Sequence, residues 1–438
     1  MINNNLQLNY KVTGGLIVKK RIIGIVALIL VAFFVTGIIY FEIDPKNTNI
    51  NFDAADEQNY TDTTIRFNSD GKLKILHVAD THLANDKHFD SSIWVIAEAC
   101  DVEKPDLVVL TGDNTKPYDN PEETKKIINS LMNIFESRNI PVAVTFGNHD
   151  SEAGPMSRKD IMDYYKNFSC VITADESSNF KNCATFNIPV LASDSDKVGF
   201  NIWVFDSGDY DEDDPRHYDR VRTEQIEWYK ETYAKLKEEN GGETVNSVVF
   251  QHIIVPEIYD VLKKVDSKQP YAIEHIYNED EFYTFNPENV NYGTLNEKPC
   301  PGFYNDGQFD ALIENDDVIA MFTGHDHTNA FGVRNQGIDI FTSPMTRYKG
   351  LAYTTKYGYR VVEIDENDTS TYETRVERLY DVFDFDYIET AKDNGDEYSV
   401  RIAFELAVKG KVQEMYLKLY QSVVELITGR QVTYPDYK

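Results

Sequence analysis

Five stretches decide the fold: KILHVADTH at 74–82, LVVLTGDN at 107–114, AVTFGNHD at 143–150, VVFQH at 248–252 and AMFTGHDH at 320–327. Each is a short apolar run that ends in Asp, Asn or His. Runs of that length, bounded by glycine and polar residues, read as buried strands. In α/β folds, ligands collect where the carboxyl ends of strands present loops into one crevice. The stretches therefore predict one site holding Asp80, His82, Asp113, Asn148, His149, Asp150, His252, His325 and His327. Carboxylates, imidazoles and an amide oxygen are all ligands for ions such as Mn, Fe or Zn. Two such ions, roughly 3.5–4 Å apart, need a shared ligand, and Asp113 is placed to bridge. Gly112, Gly147 and Gly324 allow sharp turns that bring the backbone close to the ions. A lone Asp-x-His occurs by chance; the whole series, in order and after strands, does not.

Working outward, the predicted strands are 74–79, 107–111, 142–146, 201–205, 247–251, 318–323, 338–341 and 359–364, with helical stretches between them. Asn120 followed by Pro121 marks a helix start. Ile226, Tyr229, Tyr233 and Leu236 recur at helical spacing and read as a core face. His77 lies inside the first strand and reads as a core residue, whereas His88, His217 and His275 lie in polar loops. Residues 72–380 are expected to form the main domain, and 381–438 a partly helical C-terminal extension with a long helix over 400–427.

At the other end, 22–41 reads IIGIVALILVAFFVTGIIYF, without a charge. That length crosses a bilayer as a helix. Lys19, Lys20 and Arg21 precede it, and Glu42 and Asp44 follow it. The positive-inside bias predicts a single-pass anchor with 1–21 in the cytoplasm and the main domain outside. A cleaved export signal, whose apolar region runs to roughly 7–15 residues, is the alternative. Residues 42–71 are polar and read as a linker. The formal net charge of −30 repels polyanions, so no long nucleic acid is expected as a partner. Of the four cysteines, none forms a Cys-x-x-Cys pair, which argues against a cysteine zinc site. Cys170 and Cys183 read as free buried thiols, or as a disulfide if the domain faces an oxidising space.

Asp80-Thr81-His82, Gly112-Asp113, Gly147-Asn148-His149-Asp150, His252 and Gly324-His325-Asp326-His327 together resemble the calcineurin-like metallophosphoesterase superfamily. Finer features are similar to its purple-acid-phosphatase-like branch: CDVEKPDLVV from Cys100, GNHDSE with Arg158 after it, FDSGDY from Phe205, QIEWY from Gln225 and QHIIVPE from Gln251. The iron-binding tyrosine of true purple acid phosphatases is replaced by Lys116, so no tyrosinate colour is expected.

The resemblance implies a four-layer α/β/β/α sandwich of two mixed sheets. It implies two divalent or trivalent ions, one held by Asp80, His82, Asp113 and His327, the other by Asp113, Asn148, His252 and His325. A small phosphate ester would be hydrolysed by direct attack of water. His149 is then the expected general acid and Asp150 the group that orients its imidazole. Arg158 and Asn114 are candidate substrate contacts. The reading from a different class is a surface binding protein in which the ions only stabilise the fold.

Overall fold

A computed structural model describes residues 64–428, apart from 117, 153, 173–179, 268, 270 and 350–353. The chain divides between Arg378 and Leu379 into two units. The unit that ends at Arg378 is built on two large mixed sheets.

The smaller of these sheets begins with β2 (Lys72–Val78), β3 (Leu107–Thr111), β4 (Val142–Thr145) and β5 (Val171–Ile172), all parallel. Two antiparallel strands, β16 (Gly358–Asp365) and β17 (Glu373–Arg378), extend it beside β2. Its helices are α1 (Phe89–Glu103) and α2 (Pro121–Glu136), which pack on each other, with α1 also against β2. The Asn120 side chain accepts from Glu122 N and Pro121 follows it, so α2 starts where the sequence predicts.

The larger sheet runs β1-β6-β7-β8-β13-β15-β14-β12. Its central parallel strands are β7 (Val198–Phe205), β8 (Ser247–Gln251), β13 (Val318–Thr323) and β15 (Ile338–Thr342). The flanking strands are β1 (Ile65–Arg66), β6 (Phe186–Leu191), β14 (Ala330–Asn335) and β12 (Val290–Thr294). Strand β1 pairs with β6 and Phe67 beside it is buried, so the sheet begins inside the stretch read as linker. A two-residue edge strand is too short to leave a periodic signal.

Alternation along the strands sorts side chains into two cores. Ile75, Val109, Phe200, Ile202, Phe250, Phe322 and Val362 belong to one cluster, which draws on both sheets. Trp203, Phe205, Val249 and Met321 point the opposite way, against α4 (Thr223–Glu239) and α6 (Gln308–Asn315). The layers are thus helix, sheet, sheet, helix. A small third sheet, β10 (Ile273–His275), β11 (Asn278–Phe285) and β9 (Leu262–Val265), was not foreseen from the sequence. Its strands are polar and half-exposed, so the hydrophobic pattern is silent there. The four cysteines are free thiols, and burial pushes Cys100 and Cys183 up to about 12.

The second unit is helical among the described residues: α7 (Leu379–Val382), α8 (Phe385–Asp393) and α9 (Glu397–Thr428). Asp384 caps α8 by accepting from Asp386 N and Tyr387 N. A Cβ on Gly410 would lie 2.3 Å from Tyr380 Cβ, so the glycine lets α9 pass close to α7. Among the described residues no helix is long and apolar enough to cross a membrane, and the expected span 22–41 lies outside them.

Candidate metal centre

The site lies where the carboxyl ends of β2, β3, β4, β8 and β13 release their chains. Backbone strain marks it. Asp80, His82, Asp113 and His325 have φ of +54°, +41°, +49° and +71°. Few non-glycine residues adopt that region, and they cluster where surrounding structure enforces them. Gly112 shares the conformation, with φ +98°, and a Cβ there would lie 2.1 Å from Gly147 N. Bare backbone at both positions lets the turns after β3 and β4 touch.

The donors fall into two groups that share Asp113. Asp80, His82, Asp113 and His327 form one; Asp113, His252 and His325 form the other. Asp113 Oδ2 lies 3.5 Å from His82 Nε2 and 3.4 Å from His252 Nε2. That oxygen is buried and has no hydrogen-bond partner among the described residues. His327 Nε2 lies 3.7 Å from Asp80 Oδ1. Asn148 Oδ1 joins the second group, 3.3 Å from His252 Nε2. The amide nitrogen of Asn148 donates to Tyr210 Oη at 2.9 Å, which leaves the oxygen facing inward.

This arrangement fits a pair of cations. His252 Nδ1 donates to the Thr111 carbonyl at 2.9 Å, which keeps a hydrogen on Nδ1 and turns Nε2 toward the cage, for a cation or, without one, a proton. Burial pushes His82 down to about 3, so its ring is neutral, as a ligand requires. Burial also opposes charge on His252, yet the adjacent Asp113 carboxylate holds it up at about 9. A proton there answers the same unbalanced negative charge that a cation would. Imidazole nitrogens approach to 3.0 Å between His82 and His327 and to 3.2 Å between His252 and His325. Lone pairs from several side chains converging on shared points, with a carboxylate oxygen left bare between them, form a ligand cage.

Residues 73–329 match the family model described as calcineurin-like phosphoesterase. The chain belongs to this family. Among its relatives, Probable inactive purple acid phosphatase 29 of Arabidopsis thaliana is 27% identical over 307 residues, 63% of this chain and 72% of that protein. Probable inactive purple acid phosphatase 14 of the same plant is 27% identical over 321 residues, 65% and 73% of the two chains. A solved dimetal phosphatase from Danio rerio aligns with a TM-score of 0.45 at 10% identity, covering 66% of this chain and 92% of that one.

Within this member of the calcineurin-like family, three of the residues expected at the site have partners in the scaffold. Asp150 does not orient His149. Its Oδ1 accepts from Asn114 N and Thr115 N, and its Oδ2 from Asp113 N and Gly147 N, at 2.7–3.1 Å. It is a backbone clamp under the metal loops. Burial raises its carboxyl to about 6 against the pull of those amides. The Arg158 guanidinium pairs with the buried Asp206 and donates to the Gly147 carbonyl at 2.8 Å, so it serves the scaffold in this structure. Asn114 is fully buried and its amide nitrogen donates to the Thr145 carbonyl at 3.0 Å, so it faces the scaffold.

His149 itself stays half-exposed beside the cage, its ring centroid 5.4 Å from that of His82. Its backbone N–H donates to Asp113 Oδ1 at 2.7 Å. Its Nδ1 bonds Glu152, a residue the sequence reading did not single out. Tyr210 and Asp206 were missed too. The signals that held them were the fragments GNHDSE and FDSGDY, quoted above without a role for those letters. Lys116 is exposed and its backbone N–H bonds the Leu83 carbonyl. His77 is a satisfied core residue, between Thr111 Oγ1 and Ser343 Oγ.

Proposed function

We propose that the chain is a membrane-anchored, extracytoplasmic hydrolase of small phosphate esters that works with two metal ions. The observation that carries this reading is the bare, buried Asp113 Oδ2 between two donor groups, with His149 half-exposed beside them. Asp80, His82, Asp113 and His327 would hold one ion; Asp113, Asn148, His252 and His325 would hold the other. When bound, Mn, Fe or Zn ions would neutralise the phosphate and supply a nucleophile from water near neutral pH. His149, with Nδ1 tied to Glu152, presents Nε2 to the leaving oxygen and donates its proton.

The net charge of −30 supports a small ester over a polyanion. The uncharged stretch 22–41, preceded by three basic residues, supports a bilayer anchor with the metal site outside.

A second reading is a metal-stabilised surface binding protein. The word "inactive" in the names of both Arabidopsis relatives favours it. A structural site, however, does not need a half-exposed imidazole held ready beside the metals. The test strips the full chain of metal, restores Mn, Fe, Zn or Mg singly, and compares an aryl phosphomonoester with an aryl phosphodiester. Hydrolysis of either is expected. His149→Ala should keep both ions and slow turnover of an alkyl phosphate about a hundredfold. Two bound ions and no hydrolysis with any metal would establish the binding-protein reading.

A further inference from the structure

Two side chains outside the donor set, Tyr210 and Glu152, join a metal ligand to the expected acid. Asn148 Nδ2 donates to Tyr210 Oη at 2.9 Å. Tyr210 Oη in turn donates to Glu152 Oε1, at 3.4 Å. Glu152 Oε2 accepts from His149 Nδ1. The tyrosine ring is itself fixed, stacked on Tyr218 with centroids 5.6 Å apart and planes 25° apart, while Tyr218 stands edge-on to the ligand His325 at 4.4 Å.

We infer that Tyr210 and Glu152 are positioning residues which make one unit of the second metal position and the proton donor. The hydrogen-bond chemistry decides each role. An asparagine amide presents either its oxygen or its nitrogen to a given point, and only the oxygen binds a cation. A phenol that accepts from Nδ2 selects the orientation with Oδ1 inward. Having accepted that bond, the phenol has its own proton to give, and Glu152 is the acceptor within reach. Glu152 then uses its other oxygen to hold His149 Nδ1–H. That bond favours the charged form of the ring, the form that can donate from Nε2, and sets the direction of the ring. Adjacency in sequence alone would give Asn148 and His149 no such link, because neighbouring side chains diverge. The chain Asn148–Tyr210–Glu152–His149 closes the link through space, with a residue from the loop after β7. The half-exposed position of Glu152 makes it a polar partner of the site, since the fold has no need of it as a buried scaffold.

The inference rests on the two-metal reading, and the experiment separates the two. Metal content per chain is measured for the wild type, Tyr210→Phe, Glu152→Gln and Glu152→Ala, alongside kcat and KM with an aryl and an alkyl phosphate. Tyr210→Phe keeps the ring and its stack and removes only the hydroxyl. It should weaken the second metal by about 10–100-fold, so that content falls from two equivalents toward one at limiting metal. Glu152→Gln keeps an acceptor oxygen for His149 and should retain two equivalents. Glu152→Ala should also retain them, but lower kcat on the alkyl phosphate about tenfold more than Glu152→Gln does, with KM unchanged. Two equivalents in Tyr210→Phe, or equal kcat in both Glu152 variants, would overturn the inference and leave the two-metal reading standing. Fewer than two equivalents in the wild type would sink both.

Discussion

Replacing Gly147 with alanine isolates how tightly the two metal loops are pressed together. Gly147 has no left-handed φ, so alanine can adopt its backbone conformation and the perturbation is purely steric. The added Cβ would lie 2.2 Å from Asp113 Oδ1 and 2.6 Å from Asp113 N. Ordinary contact begins near 3.4 Å, so the carboxylate must retreat by about 1 Å. It has little room to do so. Asp113 Oδ1 accepts from His149 N, and the Asp113 amide is clamped by Asp150. A displacement of about 1 Å in a catalytic arrangement costs on the order of a hundredfold in rate. Overpacking of this kind costs about 1–3 kcal/mol in stability. Gly147→Ala should therefore lose bridging of the two ions, with turnover down about a hundredfold and only a modest drop in stability. The control is Gly337→Ala, in the turn between β14 and β15. There φ is +97° and nothing lies within 4 Å, so the change should cost about 1–2 kcal/mol in backbone strain and leave turnover intact. The assays are metal content, steady-state hydrolysis and urea unfolding of both variants. Two bound ions and wild-type turnover in Gly147→Ala would refute the account of the loops.

Arg158→Ala should destabilise the fold by about 3–5 kcal/mol, because it leaves the fully buried Asp206 without its cation. Urea unfolding measures this; unchanged stability with a raised KM for phosphate esters would return Arg158 to the substrate. Asp150→Ala should cost more than about 3 kcal/mol, since four backbone amides lose their acceptor at once. In the same titration, His149→Ala should stay within about 0.5 kcal/mol of the wild type, as expected for a side chain half in solvent. Equal losses in the two variants would remove the distinction between clamp and acid.

What the sequence discloses follows from burial. Strands β3, β8 and β13 sit in the middle of sheets, covered on both faces, and their continuous apolar runs match the expected boundaries residue for residue. Strand β6 carries Pro189, which weakens a strand pattern, and it escaped prediction although Ile65, Phe200, Ile202 and Val204 of its neighbours β1 and β7 share its core. The site divides the same way. Side chains that converge as ligands are legible because few residue types bind cations and each must follow a strand. Asp150 was misread because a carboxylate that clamps amides and a carboxylate that orients an imidazole are the same letter. Its partners at 113, 114 and 115 become neighbours only once β3 and β4 pair in register.

The clamp also accounts for the strain. Four ligand residues hold left-handed backbone, at a cost of about 1–3 kcal/mol each. Something must prevent the loops from relaxing into cheaper turns that would scatter the donors. Asp150 grips the chain on both sides of Asp113's φ of +49°, and Gly147 as well. Arg158 holds the Gly147 carbonyl from the other side, with Asp206 holding Arg158. The residues around GNHD outside the donor groups thus divide into a rigid part, which fixes where Asp113 stands, and the solvent-facing pair His149 and Glu152, which bond each other beside the cage. A cation entering this cage finds its oxygen and nitrogen donors already converged, so little ordering remains to oppose its binding.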